Sequence, residues 1–317
     1  MGRYIFRRIL QAIPLLIIIT IVVFALMQLA PGGPLALYKQ NPKVTGEDLA
    51  RISRNLGLDK PVPIQYLNWL KRLVTGDWGT SFSSSRPVLE LIKERMAATF
   101  TLMFSSFVIS LLIGLPIGIL SALKRYSIVD YIVTFFSFFG LSMPVFWFAL
   151  MLQLLFGLKL GWLPTAGMKD PFIDFELWDR VRHLILPAAV LSLTSLASWS
   201  RFMRSSLLEV IGQDYIRTAR AKGLSEGKVI RKHALKNALI PVVTIIAIAI
   251  PGLFSGAVIT ETVFAWPGMG RLYFDSLGRL DYPVLMGVLT VTAFLVVIFN
   301  LVADIIYGIL DPRISYD

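Results

Sequence analysis

Residues 9–30 read ILQAIPLLIIITIVVFALMQLA and carry no charged side chain. A hydrocarbon core of about 30 Å requires about 20 apolar residues in a helix, so this run predicts a transmembrane helix. Arg3, Arg7 and Arg8 precede the run, and Lys and Arg concentrate on the cytoplasmic side of a span. We therefore expect residues 1–8 to be cytoplasmic and residues 9–30 to form the first span.

A cleaved signal peptide is the alternative interpretation of this run. The apolar core of a signal peptide has about 7–15 residues and is followed by a small-x-small cleavage site. Residues 9–30 are longer, and the APGGP at residues 30–34 offers no clear site of that kind. The pattern therefore favours a retained span.

The composition agrees with an integral membrane protein. Of the 317 residues, 56% are hydrophobic and 16% are charged, and the mean hydropathy is +0.69. Soluble domains have about 25% charged residues. The length allows about six helices and one polar excursion. The predicted fold class is therefore an all-α integral membrane protein with six transmembrane helices in one membrane domain.

Charge and cysteine content exclude several functional classes. The net charge of +11 would suggest nucleic acid in a soluble protein, but in a membrane protein the excess of positive residues inside explains it first. No nucleic-acid partner is therefore expected. The sequence contains no cysteine, which excludes disulfides, thiolate metal sites and thiol nucleophiles.

Five further apolar runs predict the remaining spans. They lie near residues 99–123, 131–156, 184–200, 238–263 and 284–310. Alternation from a cytoplasmic N-terminus places residues 201–237 inside, and this loop carries nine Lys or Arg. The predicted five-helix core is therefore 98–310, and it is followed by a cytoplasmic tail at residues 311–317.

Residues 31–97 form a long polar excursion that we expect to be extracytoplasmic. Its EDLARISRNLGL (47–58) and PIQYLNWLKRLVTG (63–76) place apolar residues at helical spacing, so two small amphipathic helices are predicted. The Lys and Arg of the excursion do not oppose this placement, because the charge rule weakens for loops longer than about 60 residues.

Several predicted spans contain Pro or Gly in their interiors. Such breaks are tolerated in lipid only where neighbouring helices or a cavity satisfy the backbone groups that they release. Two interpretations stay open, which are ordinary close packing of helices and breaks that line a substrate path. The residues concerned are Pro116, Pro144, Pro251 and Gly252.

The predicted spans hold almost no ionisable side chains, although an ion-driven carrier binds its coupling ion near the bilayer midplane. Glu261 and Asp304 fall near span ends, where helix-end packing or hydrogen bonding is the expected role. The energy for any transport is therefore expected to come from another protein.

No catalytic residue and no metal site are expected in this chain. His183 and His233 are the only histidines, and the predicted topology puts them in surface loops on opposite sides of the membrane. The sequence has no GxxxxGK[ST] motif, so the chain is not expected to hydrolyse nucleotide by itself.

The loop predicted at residues 201–237 contains most of the stretch DYIRTARAKGLSEGKVIRKHALKNALIP (214–241), which ends in the fifth predicted span. Apolar spacing predicts a helix over Ser205–Lys222 that ends at Gly223, and Ser225 is placed to cap a second helix. The small residues at this corner allow it to enter a groove on another protein. Binding to anionic lipid, worth about 1 kcal/mol per Lys or Arg near the surface, explains the positive charge of this loop. It does not explain the small residues at the turn between the two helices. Docking is therefore preferred, with contact to membrane lipids in addition.

Five stretches of the sequence resemble the permease subunits of dipeptide- and oligopeptide-type ABC importers. Among them are GDWGTSFSSSRPVLELI at 76–92 and TETVFAWPGMGRLYFDSLGRLDYPVLMG at 260–287. The others are RRILQAIPLLIIITIVVFALMQLAPGGP at 7–34, YIRTARAKGLSEGKVIRKHALKNALIP at 215–241 and NLVADIIYGILDPRISY at 300–316. They follow the family order and cover essentially the whole chain.

The stretch at 215–241 looks like that family's version of the EAA loop, which seats in a cleft of a cytoplasmic ATPase. When the general pattern EAAxxxG is aligned on Gly223, Arg217, Thr218 and Ala219 stand where Glu-Ala-Ala would fall. Pro241 comes five residues later than the usual Pro of the pattern. Peptide-type permeases share this variant, but no contact can be carried over for the missing Glu.

The resemblance implies a type I ABC importer fold, with the first span and its excursion added to a core of five helices. It also implies that the loop transmits ATP-driven closure to the spans. The residues assigned to this ATPase-coupling loop are Arg217, Thr218, Ala219, Arg220, Ala221, Lys222, Gly223, Leu224 and Ser225.

The implied partners are a second homologous permease, two ABC ATPase subunits that hold ATP and Mg²⁺, and an extracytoplasmic substrate-binding protein. No cofactor is expected in this chain, and the implied location is a bacterial or archaeal cytoplasmic membrane. Peptides are the first expected cargo, but the same family also serves nickel, glutathione and oligosaccharides. An ATP-independent channel or secondary carrier is the alternative from a different class.

Overall fold

A computed structural model describes residues 2–30, 33–39, 43–172 and 176–310 of the chain. Fourteen α-helices follow one another in this part of the chain, and it contains no β-strand. In chain order they are α1 (Gly2–Leu29), α2 (Ala36–Lys39), α3 (Gly46–Asn55), α4 (Val62–Val74), α5 (Val88–Leu123), α6 (Ile128–Ser142), α7 (Val145–Leu152), α8 (Leu177–Ile211), α9 (Asp214–Ala221), α10 (Glu226–Lys228), α11 (Leu235–Ala249), α12 (Val258–Val263), α13 (Met269–Gly278) and α14 (Tyr282–Leu310).

Four short segments of other helix types complete the list. Gly33–Leu35 and Ile250–Phe254 are 3₁₀-helical, and Gln153–Lys159 and Val229–Ala234 are π-helical. The π-helical segments directly follow α7 and α10, so each continues the helix before it.

Five helical stretches within the described residues are long and apolar enough to cross a membrane. They are Phe6–Leu29, Val88–Leu123, Leu177–Ile211, Glu226–Phe254 and Tyr282–Ile305. The pair Ile128–Ser142 and Val145–Lys159 is bent by 105° and adds a sixth span if it crosses as one unit. The predicted all-α membrane class is therefore confirmed, with five spans or six.

Two helices extend beyond the spans that hydropathy predicts. α5 begins at Val88, ahead of the span predicted near 99–123, and α8 runs over Leu177–Ile211, beyond the span predicted near 184–200, with Pro187 in its interior. Hydropathy detects only the apolar middle of such helices. A 35-residue helix is about 52 Å long and extends well beyond a hydrocarbon core of about 30 Å. The predicted tail at 311–317 lies outside the described residues.

The chain divides into two compact units. The first contains the described residues of Met1–Thr99, Phe254–Val258 and Pro267–Asp317, and the second contains Phe100–Leu253 and Ile259–Trp266.

In the first unit the polar excursion is folded. The two predicted amphipathic helices are confirmed as α3 and α4. Thr45 caps α3, and its hydrogen bonds to Asp48 lower the pKa of that carboxyl. α4 packs on α1, where Tyr66 hydroxyl lies 2.9 Å from Thr20 Oγ1 and its ring edge meets Phe24.

A buried carboxylate ties the excursion to the start of α14. Asp281 accepts hydrogen bonds from the Phe82 backbone N–H at 3.0 Å and from the Ser83 hydroxyl at 2.7 Å. The Ser81 hydroxyl donates to the same carboxylate. Charge-assisted hydrogen bonds of this kind are the strong ones. At the other end of α14, Asp304 pairs with Arg8 of α1 at 3.1 Å, which agrees with the predicted helix-end role.

In the second unit Pro116 does not interrupt α5, so the predicted break at this position is wrong. The glycines on either side of Pro116, Gly114 and Gly118, are instead explained by the close approach of α8. A Cβ added at Gly118 would lie 2.5 Å from the Ser200 carbonyl oxygen of α8, and one at Gly114 would lie 3.0 Å from Trp199 Cβ. Of the two open interpretations, close helix packing is therefore the one that fits this part of α5.

Pro144 and Pro251 do mark breaks. Pro144 lies at the 105° bend between α6 and α7, and Pro251 lies in the 3₁₀ segment that ends α11. In the π-helical segment after α7, the Gln153 amide donates to the carbonyls of Thr165 at 2.7 Å and Val263 at 3.0 Å. These bonds satisfy one carbonyl in a loop and one at the C-terminal end of α12.

The predicted surface position of His183 is wrong, because the residue lies inside α8 and is 8% exposed. Its Nδ1 is 2.9 Å from the Asp179 carbonyl oxygen. His233 is half-buried in the π-helical segment after α10. Glu261 in α12 is fully buried.

We expect Gly118→Ala to lower the stability of the second unit by about 1–3 kcal/mol, because the new methyl group collides with α8 backbone. Thermal unfolding of the purified chain in detergent, followed by tryptophan fluorescence, measures the change. Gly227→Ala is the matched control, since no atom lies within 4 Å of a Cβ at that helical position. An equal midpoint for both variants would contradict the packing assigned to Gly118.

Candidate functional site

The predicted coupling segment begins where α8 ends. α8 stops at Ile211, and after Gly212 and Gln213 the chain enters α9. The single helix predicted over Ser205–Lys222 is therefore wrong, because two helices share this stretch. The apolar spacing continues through the break, so the break itself leaves little trace in the periodicity.

α9 ends in a tight turn at Gly223, as the sequence predicts. Gly223 has φ +75°, a left-handed conformation that glycine adopts without steric cost. The Leu224 N–H donates to the Ala219 carbonyl at 3.4 Å, and the Gly223 N–H donates to the Arg220 carbonyl at 2.9 Å. These two bonds form a Schellman motif, which satisfies the last carbonyls of the helix.

An ion pair closes the turn. Arg220 Nε lies 3.0 Å from Glu226 Oε2, and its Nη2 lies 2.6 Å from Oε1. These hydrogen bonds raise the pKa of the Arg220 guanidinium. Ser225 occupies the N-cap position of α10 as predicted, but its side chain makes no capping hydrogen bond. Both partners of the pair are solvent-exposed. The pair therefore fixes the conformation of the turn but contributes little to the free energy of folding.

The base of the turn is buried. Ile216 and Ala219 of α9 pack with Val229 and Ala234 in one hydrophobic cluster, together with residues from α5, α8 and α11. The contributing residues of those helices are Ala122, Met203, Leu207, Ala238 and Val242. The cluster therefore connects the turn to three membrane helices.

Most of the predicted coupling residues lie on the surface of this turn. Ala219 is 7% exposed and points its methyl group into the cluster, whereas Leu224 is half-buried. The exposed members are Arg217, Thr218, Arg220, Ala221, Lys222, Gly223 and Ser225. A Cβ at Gly223 would meet nothing within 4 Å. The turn thus offers a rigid, low-profile surface with a net positive charge.

Sequence reasoning missed a second polar network, between α6 and α8. The Asp130 carboxylate is buried and accepts two hydrogen bonds from Arg204, from Nε at 2.7 Å and from Nη2 at 2.8 Å. It also accepts from the Tyr126 backbone N–H at 2.9 Å. Ser127 occupies the N-cap of α6, and Asp130 follows it in the first helical turn. That pattern signals a helix start, but it does not reveal a partner 74 positions away.

No group of three or more His, Cys, Asp or Glu side chains that could hold a metal ion occurs among residues 2–30, 33–39, 43–172 and 176–310. The exposed side chains at the turn are small ones, arginine and lysine side chains, and Glu226, which pairs with Arg220.

Comparison with known protein families gives two matches that together cover most of the chain. Residues 114–316 match the family described as binding-protein-dependent transport system inner membrane component. Residues 1–103 match the N-terminal family of such membrane components. Together the two matches include the turn and the excursion.

Curated relatives align over the full chain. The oligopeptide transport system permease protein AppB of Bacillus subtilis (strain 168) is 47% identical over 317 residues, which is 100% of both chains. The dipeptide transport system permease protein DppB of Escherichia coli (strain K12) is 40% identical, over 100% of this chain and 99% of that protein.

Among solved structures, an inward-facing structure of the MetNI methionine ABC transporter covers 70% of this chain and 97% of its own, with a TM-score of 0.54 and 21% identity. An amino acid ABC transporter crystallised with histidines gives the same TM-score at 12% identity. At these identities the likeness shows the fold alone, and it confirms the type I ABC importer permease fold.

We expect Gly223→Ala to loosen the turn by about 1–2 kcal/mol, because a Cβ is disfavoured at positive φ. Hydrogen exchange of amides in residues 219–226, measured by mass spectrometry, should speed up about fivefold or more. Gly227→Ala is the control, because its Cβ is unobstructed and its backbone is helical. Unchanged protection in Gly223→Ala would mean that the Schellman motif is not formed in the protein.

Proposed function

The chain belongs to the family of binding-protein-dependent transport system inner membrane components, and from this premise we propose that it is the permease subunit of an ATP-driven peptide importer. Peptide cargo is supported by the full-length similarity to oligopeptide and dipeptide permeases. The chain is a transport permease and not an enzyme. The observation that carries the proposed mechanism is the exposed Schellman turn built on a buried base.

The turn has the properties of a coupling element. Apart from Glu226, which pairs with Arg220, its exposed residues are small or positively charged, so the turn fits a narrow groove on an ATPase subunit and favours an acidic one. Its base is packed against α5, α8 and α11. Because packed interiors are close to incompressible, a push on the turn moves the helix ends with which it is packed.

ATP and Mg²⁺ would be bound and used by the two ATPase subunits, so the chemical energy enters through the turn. A second homologous permease would complete the translocation path, and an extracytoplasmic binding protein would deliver the peptide. On this proposal α8 and α9 meet at the cytoplasmic face, both termini are cytoplasmic, and the excursion with α3 and α4 faces outward.

A channel or secondary carrier is the alternative from a different class, with the basic loop serving only lipid. Two observations favour coupling over that alternative. Arg220 is already engaged by Glu226, which reduces the charge available to lipid phosphates. Lipid binding by the basic loop also does not explain why the loop forms a capped, left-handed turn with open space around Gly223.

We predict that Ala221→Trp abolishes ATP-dependent peptide uptake while leaving the fold intact, because this exposed helical position accepts a large side chain but the docking groove does not. Uptake is measured in proteoliposomes that contain the complete importer, with ATP inside. Gly223→Trp should have the same effect, with added backbone strain. Lys60→Trp, at an exposed position on the excursion, is the control and should retain uptake.

Uptake that continues at the wild-type rate with both Ala221→Trp and Gly223→Trp would overturn the coupling role. Uptake by this chain alone, without ATP or partners, would establish the channel or carrier alternative instead.

A further inference from the structure

The helix α4 of the excursion exposes large apolar side chains, whereas its neighbour α3 does not. The exposed residues of α3 are small, polar or charged, namely Gly46, Glu47, Ala50, Arg51, Arg54 and Asn55. In α4, Leu67 is 61% exposed and Val74 is 80% exposed, and Val62 and Ile64 also lie on the surface. Clustered apolar side chains of this kind mark a contact with another protein or with a membrane.

The apolar side chains of α4 follow the helical repeat. Ile64 and Leu67 are three residues apart, and Val74 follows Leu67 by seven residues, so the three lie on one side of the helix. These three residues form the apolar stripe of α4. Another side of the helix carries Tyr66 and Trp69, which pack on α1. α4 therefore has two apolar sides, and only one of them is covered within the described part of the chain.

A polar strip borders the apolar stripe. It consists of Asn68, Lys71 and Arg72, of which Lys71 and Arg72 are exposed. Lys71 is nearest to the stripe, and its long apolar stem allows the ammonium group to reach water or lipid headgroups. A helix with an apolar side and a basic polar side lies in the plane of a membrane interface.

Contacts with α1 fix the depth of α4. The Tyr66 hydroxyl lies 2.9 Å from Thr20 Oγ1. The ring centroids of Tyr66 and Trp69 lie 5.5 and 5.8 Å from that of Phe24. Phe24 comes five residues before the end of the span Phe6–Leu29, which is about 7–8 Å along the helix axis. Interfacial helices bury their apolar side by about 5–10 Å, so α4 lies at the depth that is typical of them.

The polar groups at the contact between α1 and α4 are paired with each other. The Gln28 amide of α1 donates to Gln65 Oε1 at 2.8 Å. The Gln65 amide in turn donates to the Lys60 carbonyl at 2.7 Å. Thr20 is 2% exposed, and its hydroxyl donates to the Ile17 carbonyl at 2.7 Å. Such pairing is required where lipid replaces water, so it agrees with the depth of the contact.

This depth favours lipid over a protein partner as the occupant of the apolar stripe. A partner in the water outside the membrane does not reach a surface that lies below the end of a span. Over the same part of its length, α1 itself exposes Val22 and Leu26, which lie within the apolar span. The lipid that surrounds α1 at this level therefore also reaches the helix that is packed on it.

We propose that α4 is an interfacial anchor that holds the excursion on the outer leaflet of the membrane. The apolar stripe lies among the acyl chains next to the headgroups, and the polar strip faces lipid phosphates and water. The basic residues of the strip favour anionic headgroups. This anchor goes beyond the proposed function, and only the choice of the outer leaflet rests on the topology proposed there.

Spin labels at single cysteines test the depth, because the chain contains no cysteine of its own. Leu67→Cys places a label on the apolar stripe, and Arg72→Cys is the matched control on the polar strip of the same helix. Both positions are exposed, so both variants are expected to fold. The labelled chain is studied in the complete importer, with partner subunits that lack cysteine, in nanodiscs of phosphatidylethanolamine and phosphatidylglycerol.

The readout is the rate at which each label collides with oxygen and with a water-soluble nickel chelate. Oxygen concentrates in the hydrocarbon layer, whereas the chelate stays in water. The ratio of oxygen collisions to nickel collisions, measured by power saturation of the spin resonance signal, should be several-fold higher at position 67 than at position 72.

A second measurement uses the importer without any substitution. Phosphatidylcholine with a diazirine on its acyl chain is added to the nanodiscs and irradiated, and the adducts are located by peptide mapping. Adducts are expected within residues 62–74 of α4. The charged helix α3, at residues 46–55, is the internal control and should carry none.

Three results would overturn the anchor. Equal nickel collision rates at positions 67 and 72 would place α4 in water. Low rates with both reagents at position 67 would show that a protein subunit covers the stripe. Diazirine adducts that are absent from residues 62–74 would exclude acyl chains there. Since neither measurement uses ATP or cargo, these results leave the coupling and peptide proposals untouched, and a failure of uptake leaves the anchor untouched.

Discussion

A backbone N–H or C=O that loses its partner in the hydrocarbon layer costs several kcal/mol, and this constraint governs the architecture. It explains why the described chain is helical. In the π-helical segment after α7, Gln153 donates to the carbonyls of Thr165, in a loop, and Val263, at the end of α12. Pro116 has no backbone N–H to donate within α5, yet α5 continues through it and packs closely on α8.

Close packing of small residues also shapes the proposed coupling turn. Ala219, Ala234 and Ala238 occupy its buried base, where larger side chains would hold the helices apart. The exposed side of the turn is kept in place by the Schellman bonds and by Arg220 with Glu226. The proposed role of transmitting force between proteins requires a segment that is stiffer than its surroundings, and a capped turn on a packed base has that property.

Local signals in the sequence predict much of this structure. Apolar runs reveal the spans, helical spacing reveals α3 and α4, and Gly223 reveals the left-handed turn. Features that depend on distant partners were not predictable in this way. Asp130 meets Arg204 across 74 positions, and His183 is buried by a helix that extends past its apolar middle. The spacing of apolar residues along the sequence carries no information about such long-range contacts.

A cavity of about 220 Å³ within the first unit belongs to this second class, because residues as far apart in the sequence as Phe24 and Thr290 line it. Hydropathy identifies the helices that contribute these residues. It does not reveal the space between them, because that space exists only where helices from separate parts of the sequence pack side by side. The spans could therefore be predicted from local runs of residues, whereas the cavity required the packed structure.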